Sequence, residues 1–148
     1  MTIEKLQAVL EDTFAANFVA YYRSHVAHVN ITGPNFYSDH KFLQKVYEDL
    51  QGNIDTLGEL LRTIKAEMPK SVSSVIAISP FLDDEVDGDC EELLRLVLAD
   101  QERMIDQYKE LNEAATAVDY IDIANYAQGR VGDHAKFRWM LESILEQY

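Results

Sequence analysis

The sequence has 148 residues, 47% of them hydrophobic, and its 26 acidic and 13 basic residues give a formal net charge of −13. This length predicts one domain, residues 1–148, with a sizeable core. The negative charge argues against nucleic acid as a partner, because binding to phosphates depends on Lys and Arg displacing counterions. An acidic surface attracts cations, as in metal-handling proteins, but it also simply favours solubility.

Cysteine content and hydropathy predict the compartment. The single cysteine, Cys90, cannot form an internal disulfide, so nothing requires an oxidising environment. No apolar run approaches the ~20 residues that span a bilayer, and the acidic residues of the N-terminal stretch are unlike a signal peptide. We therefore expect a cytoplasmic protein that does not associate with membranes.

The first helix is predicted over residues 2–30, where apolar and aromatic side chains recur every three or four positions. The stripe begins at Leu6 and continues into two imidazoles, His25 and His28. A stripe typical of a core thus ends in side chains that can bind a metal.

The second helix, predicted over residues 35–66, has the most regular pattern in the chain. Apolar residues alternate in steps of three and four, at Leu43, Val46, Leu50, Ile54, Leu57, Leu61 and Ile64. Such a seam is typical of left-handed bundle packing. Gly33 and Pro34 separate it from the first helix, and so short a connection predicts antiparallel neighbours.

A long connection over residues 68–89 separates the second helix from the third. It contains an apolar run, 75–78, that predicts a short helix, and the acidic segment FLDDEVDGD. The third and fourth helices are predicted over residues 89–116 and 119–146. A crossover of this length predicts a four-helix bundle whose two middle helices run parallel. All three prolines fall between the predicted helices, at Pro34, Pro69 and Pro80.

Two glycines lie inside the fourth predicted helix, Gly129 and Gly132. Each costs a helix about 1 kcal/mol relative to alanine. The pair therefore predicts either the close approach of another backbone or a local break.

Histidines and carboxylates near the first turn suggest metal chemistry. His28 and His40 flank the turn, and Asp55 and Glu59 follow on one face of the second helix. Together these side chains suit iron, manganese or zinc. An acidic pair at this spacing is, however, often only part of a solvent-exposed helix surface. His40 and Asp55 are fifteen residues apart on one helix, which is about 22 Å at 1.5 Å per residue. Either the two pairs are unrelated, or they form a site shared between subunits.

The segment YYRSHVAHVNITGPNFYSDHKFLQKVYEDLQGNIDTLGELL resembles the signature of the Dps family of miniferritins, and GDHAKFRWMLESIL resembles that family's last helix. The resemblance implies an all-α, ferritin-like four-helix bundle with a long crossover between helices two and three. It also implies iron ligands at His28 and His40 from one subunit, and at Asp55 and Glu59 from its symmetry partner.

The resemblance further implies a function. Members of the family form hollow homododecamers in which Fe(II) enters through acidic pores, is oxidised by hydrogen peroxide or oxygen, and is stored as a ferric mineral. The expected activity is therefore that of a ferroxidase, with iron as the metal. It would protect against oxidative damage.

Two positions depart from the family's pattern. Gln44 stands where the family usually has another acidic ligand, and a neutral amide is a weaker ligand for a hard cation. Val29 stands where tryptophan is common. These departures predict a weakened second iron position and an attenuated activity.

Five further side chains are secondary candidates. Gln44 itself could be a ligand, and His25 is either an additional ligand or an ordinary interface histidine. His134 is interpreted as structural. Asp119 and Asp122 open the fourth predicted helix, where acidic residues favour the positive end of the helix dipole. The resemblance also makes these two aspartates candidates for the lining of the iron-entry pores.

Two other classes of function stay open. The family includes DNA-associated members that use Lys- or Arg-rich tails, but the acidic charge and the absence of a basic tail argue against DNA binding here. The other class is a shell-forming protein whose ferroxidase site is weakened or lost, and Gln44 is the residue that favours it.

Overall fold

The computed structural model describes residues 2–79, 81 and 84–148, and helices are the only regular secondary structure in these ranges. The helices are α1 (Ile3–Asn30), α2 (Phe36–Thr63), α3 (Val72–Ile78), α4 (Cys90–Ala117) and α5 (Ile121–Leu145). They confirm the predicted four-helix bundle with a short helix in its crossover. Four residues lie outside the described ranges: Met1, Pro80 and, within the acidic segment, Leu82 and Asp83. Across the described ranges, no helix is both long and apolar enough to cross a membrane.

Side-chain contacts fix the directions of the helices. The short turn between α1 and α2 makes them antiparallel, and they pack along their length. Arg23 Nε lies 2.8 Å from Asp100 Oδ2, and Thr13 Oγ1 lies 2.9 Å from Gln107 Nε2. Because the earlier residue of α1 meets the later residue of α4, these two helices are also antiparallel. It follows that α2 and α4 run parallel, as the long crossover predicted.

The core is formed by the predicted seams. All members of the α2 seam are buried except Ile54, which is partly exposed. In α4, apolar residues at helical spacing are also buried: Leu93, Val97, Met104, Tyr108, Leu111 and Ala115. In α5, Ile123, Ala127 and Leu141 are buried, whereas Trp139 is 61% exposed. Burying these faces is the main favourable contribution to folding, at roughly 25 cal/mol per Å² of apolar surface.

The expectation for the glycines of α5 is wrong for a single chain. The helix runs through Gly129 and Gly132 without a break. A Cβ placed at either position would meet no heavy atom within 4 Å outside the helix's own neighbouring backbone. The chain itself therefore provides no packing reason for these two glycines.

Capping motifs stabilise the start of α4 and the ends of α2 and α4, and one of them corrects a prediction. Asp89 caps α4 through a capping box with Glu92. Lys65 and Asp119 follow the ends of α2 and α4 in the left-handed region, with φ of 69° and 62°, and the backbone bonds around them are those of a Schellman motif. Asp119 therefore ends α4 and does not open α5. Only Asp122 lies in the first turn of α5.

Replacing Lys65 by glycine should raise the free energy of unfolding by about 0.5–1 kcal/mol, because glycine adopts the left-handed region without steric cost. Urea unfolding of the variant and the parent protein measures the difference. The control is Gly88→Ala. Gly88 has a φ of 129°, and an added Cβ would lie 2.7 Å from Glu92 Cβ, so this change should destabilise the protein. Equal stability of Lys65→Gly and parent would contradict the strain argument.

Candidate metal centre

Two histidines hold each other in place at the first turn. His28 near the end of α1 and His40 near the start of α2 exchange reciprocal bonds: each Nδ1 lies 2.7 Å from the backbone carbonyl oxygen of the other residue. The two rings stack with their centroids 3.8 Å apart. A carbonyl oxygen can only accept, so each Nδ1 must carry a proton. In the neutral rings, the lone pair is then on Nε2, as a metal ligand requires.

The protonation of His28 also suits metal binding. Burial lowers its pKa below the ordinary value of 6.5, and the charges of His40, His25 and Lys41 lower it further. The bond to the His40 carbonyl opposes these effects, but the net shift is downward. His28 is therefore neutral at pH 7, and its Nε2 is available to a cation.

Aromatic side chains surround the histidine pair. His25 Nδ1 lies 2.9 Å from the Tyr21 hydroxyl, and the His25 ring stacks on Tyr47 at 3.9 Å. Tyr47 also contacts the ring of His28, at 5.0 Å between centroids, and Phe36 stacks on His40 at 4.9 Å. The sequence analysis did not single out Tyr47. Its position seven residues after His40, on the same face of α2, was the signal that could have found it.

The two carboxylates lie on the exposed surface of α2, beside the leucine seam. A hydrogen bond with Asp55, together with its negative charge, raises the pKa of Glu59. Two carboxylates that repel each other in this way would both gain from a shared cation. Fifteen residues of continuous helix separate Asp55 from His40, which is about 22 Å. Accordingly, no three His, Cys, Asp or Glu side chains of the described residues form a group able to hold a metal ion.

Gln44 lies one turn after His40 and is partly buried. Its amide nitrogen lies 2.8 Å from Glu48 Oε1. The amide oxygen is thus the group that remains for a cation, and Glu48 is tied to the same position.

The remaining candidates lie elsewhere. Asp119 and Asp122 are exposed at the turn between α4 and α5, where Asp119 borders a cavity that Asn125 and Gln128 also line. His134 is fully buried, with its ring nitrogens 2.7 Å from Gln101 Oε1 and 2.9 Å from an Arg130 nitrogen. These contacts agree with the structural role predicted for His134. The sequence analysis missed its partner Arg130, which no local pattern marks.

Comparisons with known proteins agree with this fold. A family model described as a ferritin-like domain matches residues 7–148. The DNA protection during starvation protein of Brevibacillus brevis is 27% identical over 146 residues, with 98% of each chain covered.

Two solved structures have the same fold. The Dps structure from Thermosynechococcus elongatus has a TM-score of 0.92 at 20% identity, covering 96% of this chain and 90% of that one. A Dps protein from Vibrio cholerae O1, described as a member of a broad superfamily of ferritin-like diiron-carboxylate proteins, has a TM-score of 0.90 at 23% identity, covering 96% and 89%. These likenesses confirm the predicted ferritin-like architecture.

The reciprocal bonds predict a specific tautomer, which nitrogen NMR of the imidazole rings can measure. We expect His28 and His40 to carry their proton on Nδ1, and His28 to titrate below 6.5. Because the unfolded chain then binds more protons near pH 6, the stability that His28 contributes is present above pH 6.5 and is lost as the pH falls. A proton on Nε2 of either neutral ring would contradict the assignment.

Proposed function

Because the chain belongs to the ferritin-like family, in its Dps-like branch, we propose that it is the subunit of a hollow homododecamer that binds Fe(II), oxidises it and stores the ferric product. The observation that carries the proposal is the histidine pair held through its Nδ1 atoms, whose Nε2 atoms make no hydrogen bond among the described residues, together with a carboxylate pair about 22 Å away on the same helix. Neither pair is a complete site alone.

In the proposed site, His28 and His40 of one subunit supply neutral nitrogen ligands to Fe(II). Asp55 and Glu59 of a second subunit supply oxygen ligands and offset the positive charge. A two-fold axis places the His pair of each subunit opposite the carboxylates of the other, so one dimer holds two such sites.

Hydrogen peroxide is the proposed oxidant, with oxygen as the alternative. Two Fe(II) ions each give up one electron, and one peroxide molecule takes up both electrons and two protons to form two water molecules. The protein's part is to hold the ligands and control access, while the redox chemistry belongs to the iron. The acidic surface favours the approach of Fe(II).

An apolar surface beside the histidines supports a second copy as the neighbour. Tyr22 and Val29 on α1 and Val72 on α3 are each more than 60% exposed. Between α1 and α3, a cavity of about 600 Å³ is lined by Tyr22, Val26, Val72 and Ile76 among others. Exposed apolar side chains of this size mark interaction surfaces, and a two-fold axis would pack this surface against itself.

Two other functions are suggested, one by a relative's name and one by Gln44. The Brevibacillus brevis protein is named for DNA protection, but the charge of −13 argues against direct DNA binding by this chain. A shell-forming protein with a weakened site is the second candidate function. The Gln44 contact with Glu48 favours it, because a neutral amide stands beside the histidines.

Anaerobic addition of Fe(II) to the metal-free assembly, followed by peroxide, tests the proposal. Ferric absorbance should rise rapidly, and iron should stay with the protein on gel filtration. A His28→Ala, His40→Ala double variant should slow oxidation by more than about tenfold. An Asp55→Asn, Glu59→Gln variant should slow it similarly; its matched control is Glu102→Gln, Asp106→Asn, which removes another exposed acidic pair at the same spacing and should leave the rate unchanged. Oxidation no faster than in buffer would favour the shell-forming alternative.

Mixing of two inactive variants tests whether the site is shared. Each dimer of a His28→Ala, His40→Ala subunit with an Asp55→Asn, Glu59→Gln subunit would regain one intact site. Unfolding and reassembly of an equal mixture should therefore restore about a quarter of the parent activity. If all four ligands came from one chain, mixing would restore nothing, and the shared site would be refuted.

A further inference from the structure

A guanidinium group inside the bundle is surrounded by acidic side chains and one imidazole. Arg130 on α5 is 4% exposed. Its terminal nitrogens contact both oxygens of Asp49, at 3.0 and 2.7 Å, one oxygen of Asp133 at 3.0 Å, and Nε2 of His134 at 2.9 Å. Two carboxylates and one imidazole thus surround a single buried positive charge.

The imidazole of His134 has the tautomer of a metal ligand. Arginine can only donate, so Nε2 of His134 accepts and directs its lone pair at the guanidinium. Nδ1 then donates to Gln101 Oε1, 2.7 Å away, and Gln101 is itself tied to the Val97 carbonyl at 3.3 Å. In metal sites, a ligand imidazole is usually oriented by a hydrogen bond from the ring nitrogen that does not bind the metal. Burial and the charge of Arg130 hold the pKa of His134 well below its ordinary value, so the ring is neutral.

The guanidinium does not satisfy all of its hydrogen-bond donors. Arg130 Nε is buried and has no hydrogen-bond partner among the residues that the structure describes. Although burial opposes its charge, the hydrogen bond with Asp49 and neighbouring groups raise the pKa of Arg130, so the cation is permanent. The ring of Tyr108 packs beneath the guanidinium, 5.5 Å from ring centroid to Cζ, and closes this side of the site.

We propose that Arg130 acts as a built-in cation that keeps divalent metal ions out of the bundle, and that removing its side chain opens a site for one such ion on Asp49, Asp133 and His134. Two carboxylates and one imidazole, with water in the fourth position, suit Zn²⁺ or Co²⁺. Asp133 is exposed enough to move inward, since 57% of its side chain is accessible. The inference does not depend on iron binding at the subunit surface.

The test is Arg130→Ala in the assembled protein carrying His28→Ala and His40→Ala, which removes the proposed surface ligands. Equilibrium dialysis should find one additional Co²⁺ per chain relative to the same background with Arg130. The bound ion should have the visible absorption of low-coordinate Co²⁺. Zn²⁺ at a hundredfold excess over its Kd should raise Tm by roughly 5–10 °C relative to chelator.

Two controls distinguish metal binding at this site from metal binding caused by the loss of any buried arginine. Adding Asp49→Asn to the Arg130→Ala protein should abolish the extra ion. Arg23→Ala removes another buried arginine that pairs with two carboxylates, Asp84 and Asp100, but has no imidazole beside it. It should gain no Co²⁺ absorption.

Loss of folding would not make the test uninformative. If Arg130→Ala is unfolded in chelator, added Zn²⁺ should restore its helical circular dichroism, because the ion replaces the missing charge. Failure of Zn²⁺ to restore folding, or a folded variant that binds no more Co²⁺ than its parent, would overturn the proposal.

Discussion

The rigidity of α2 is the constraint on which the proposed chemistry depends. A helix advances by a fixed 1.5 Å per residue, so the histidine at its start and the carboxylates beyond its middle cannot meet, whatever the side chains do. The ligand types of a transition-metal site are nevertheless all present on the surface of the chain. In the proposed site, a second copy running in the opposite direction would bring the two halves together. Assembly and metal chemistry are thus linked by the geometry of one helix.

The bundle places its charged groups in two different environments. Most acidic side chains lie outside, where water screens them. Two arginines, Arg23 and Arg130, lie inside, where Asp100 of α4 pairs with Arg23 and Asp49 of α2 pairs with Arg130. Breaking such buried pairs is costly because one charge is left without a partner. These pairs connect α1 to α4 and α2 to α5, so they also specify which helices are neighbours.

Local patterns in the sequence predicted the helices well. Apolar residues spaced three and four apart predicted the buried seam of α2, because helix geometry fixes which residues share a face. The length of the crossover predicted that α2 and α4 run parallel. The same logic failed for Gly129 and Gly132, since composition alone does not say which neighbour, if any, lies against a helix. The pairing of Asp49 with Arg130, 81 positions apart, has no local signature at all. Its detection required the packed helices.

For the site itself, spacing and family resemblance identified the histidines but not how they are held. The reciprocal bonds between His28 and His40 depend on the conformation of the turn, which periodicity does not describe. These bonds have a consequence for the entropy of binding. Both rings are already confined to one orientation and one tautomer, so binding a cation would cost little further side-chain freedom. The same bonds connect α1 to α2 across their turn, so they restrain the end of the hairpin that carries the proposed ligand nitrogens.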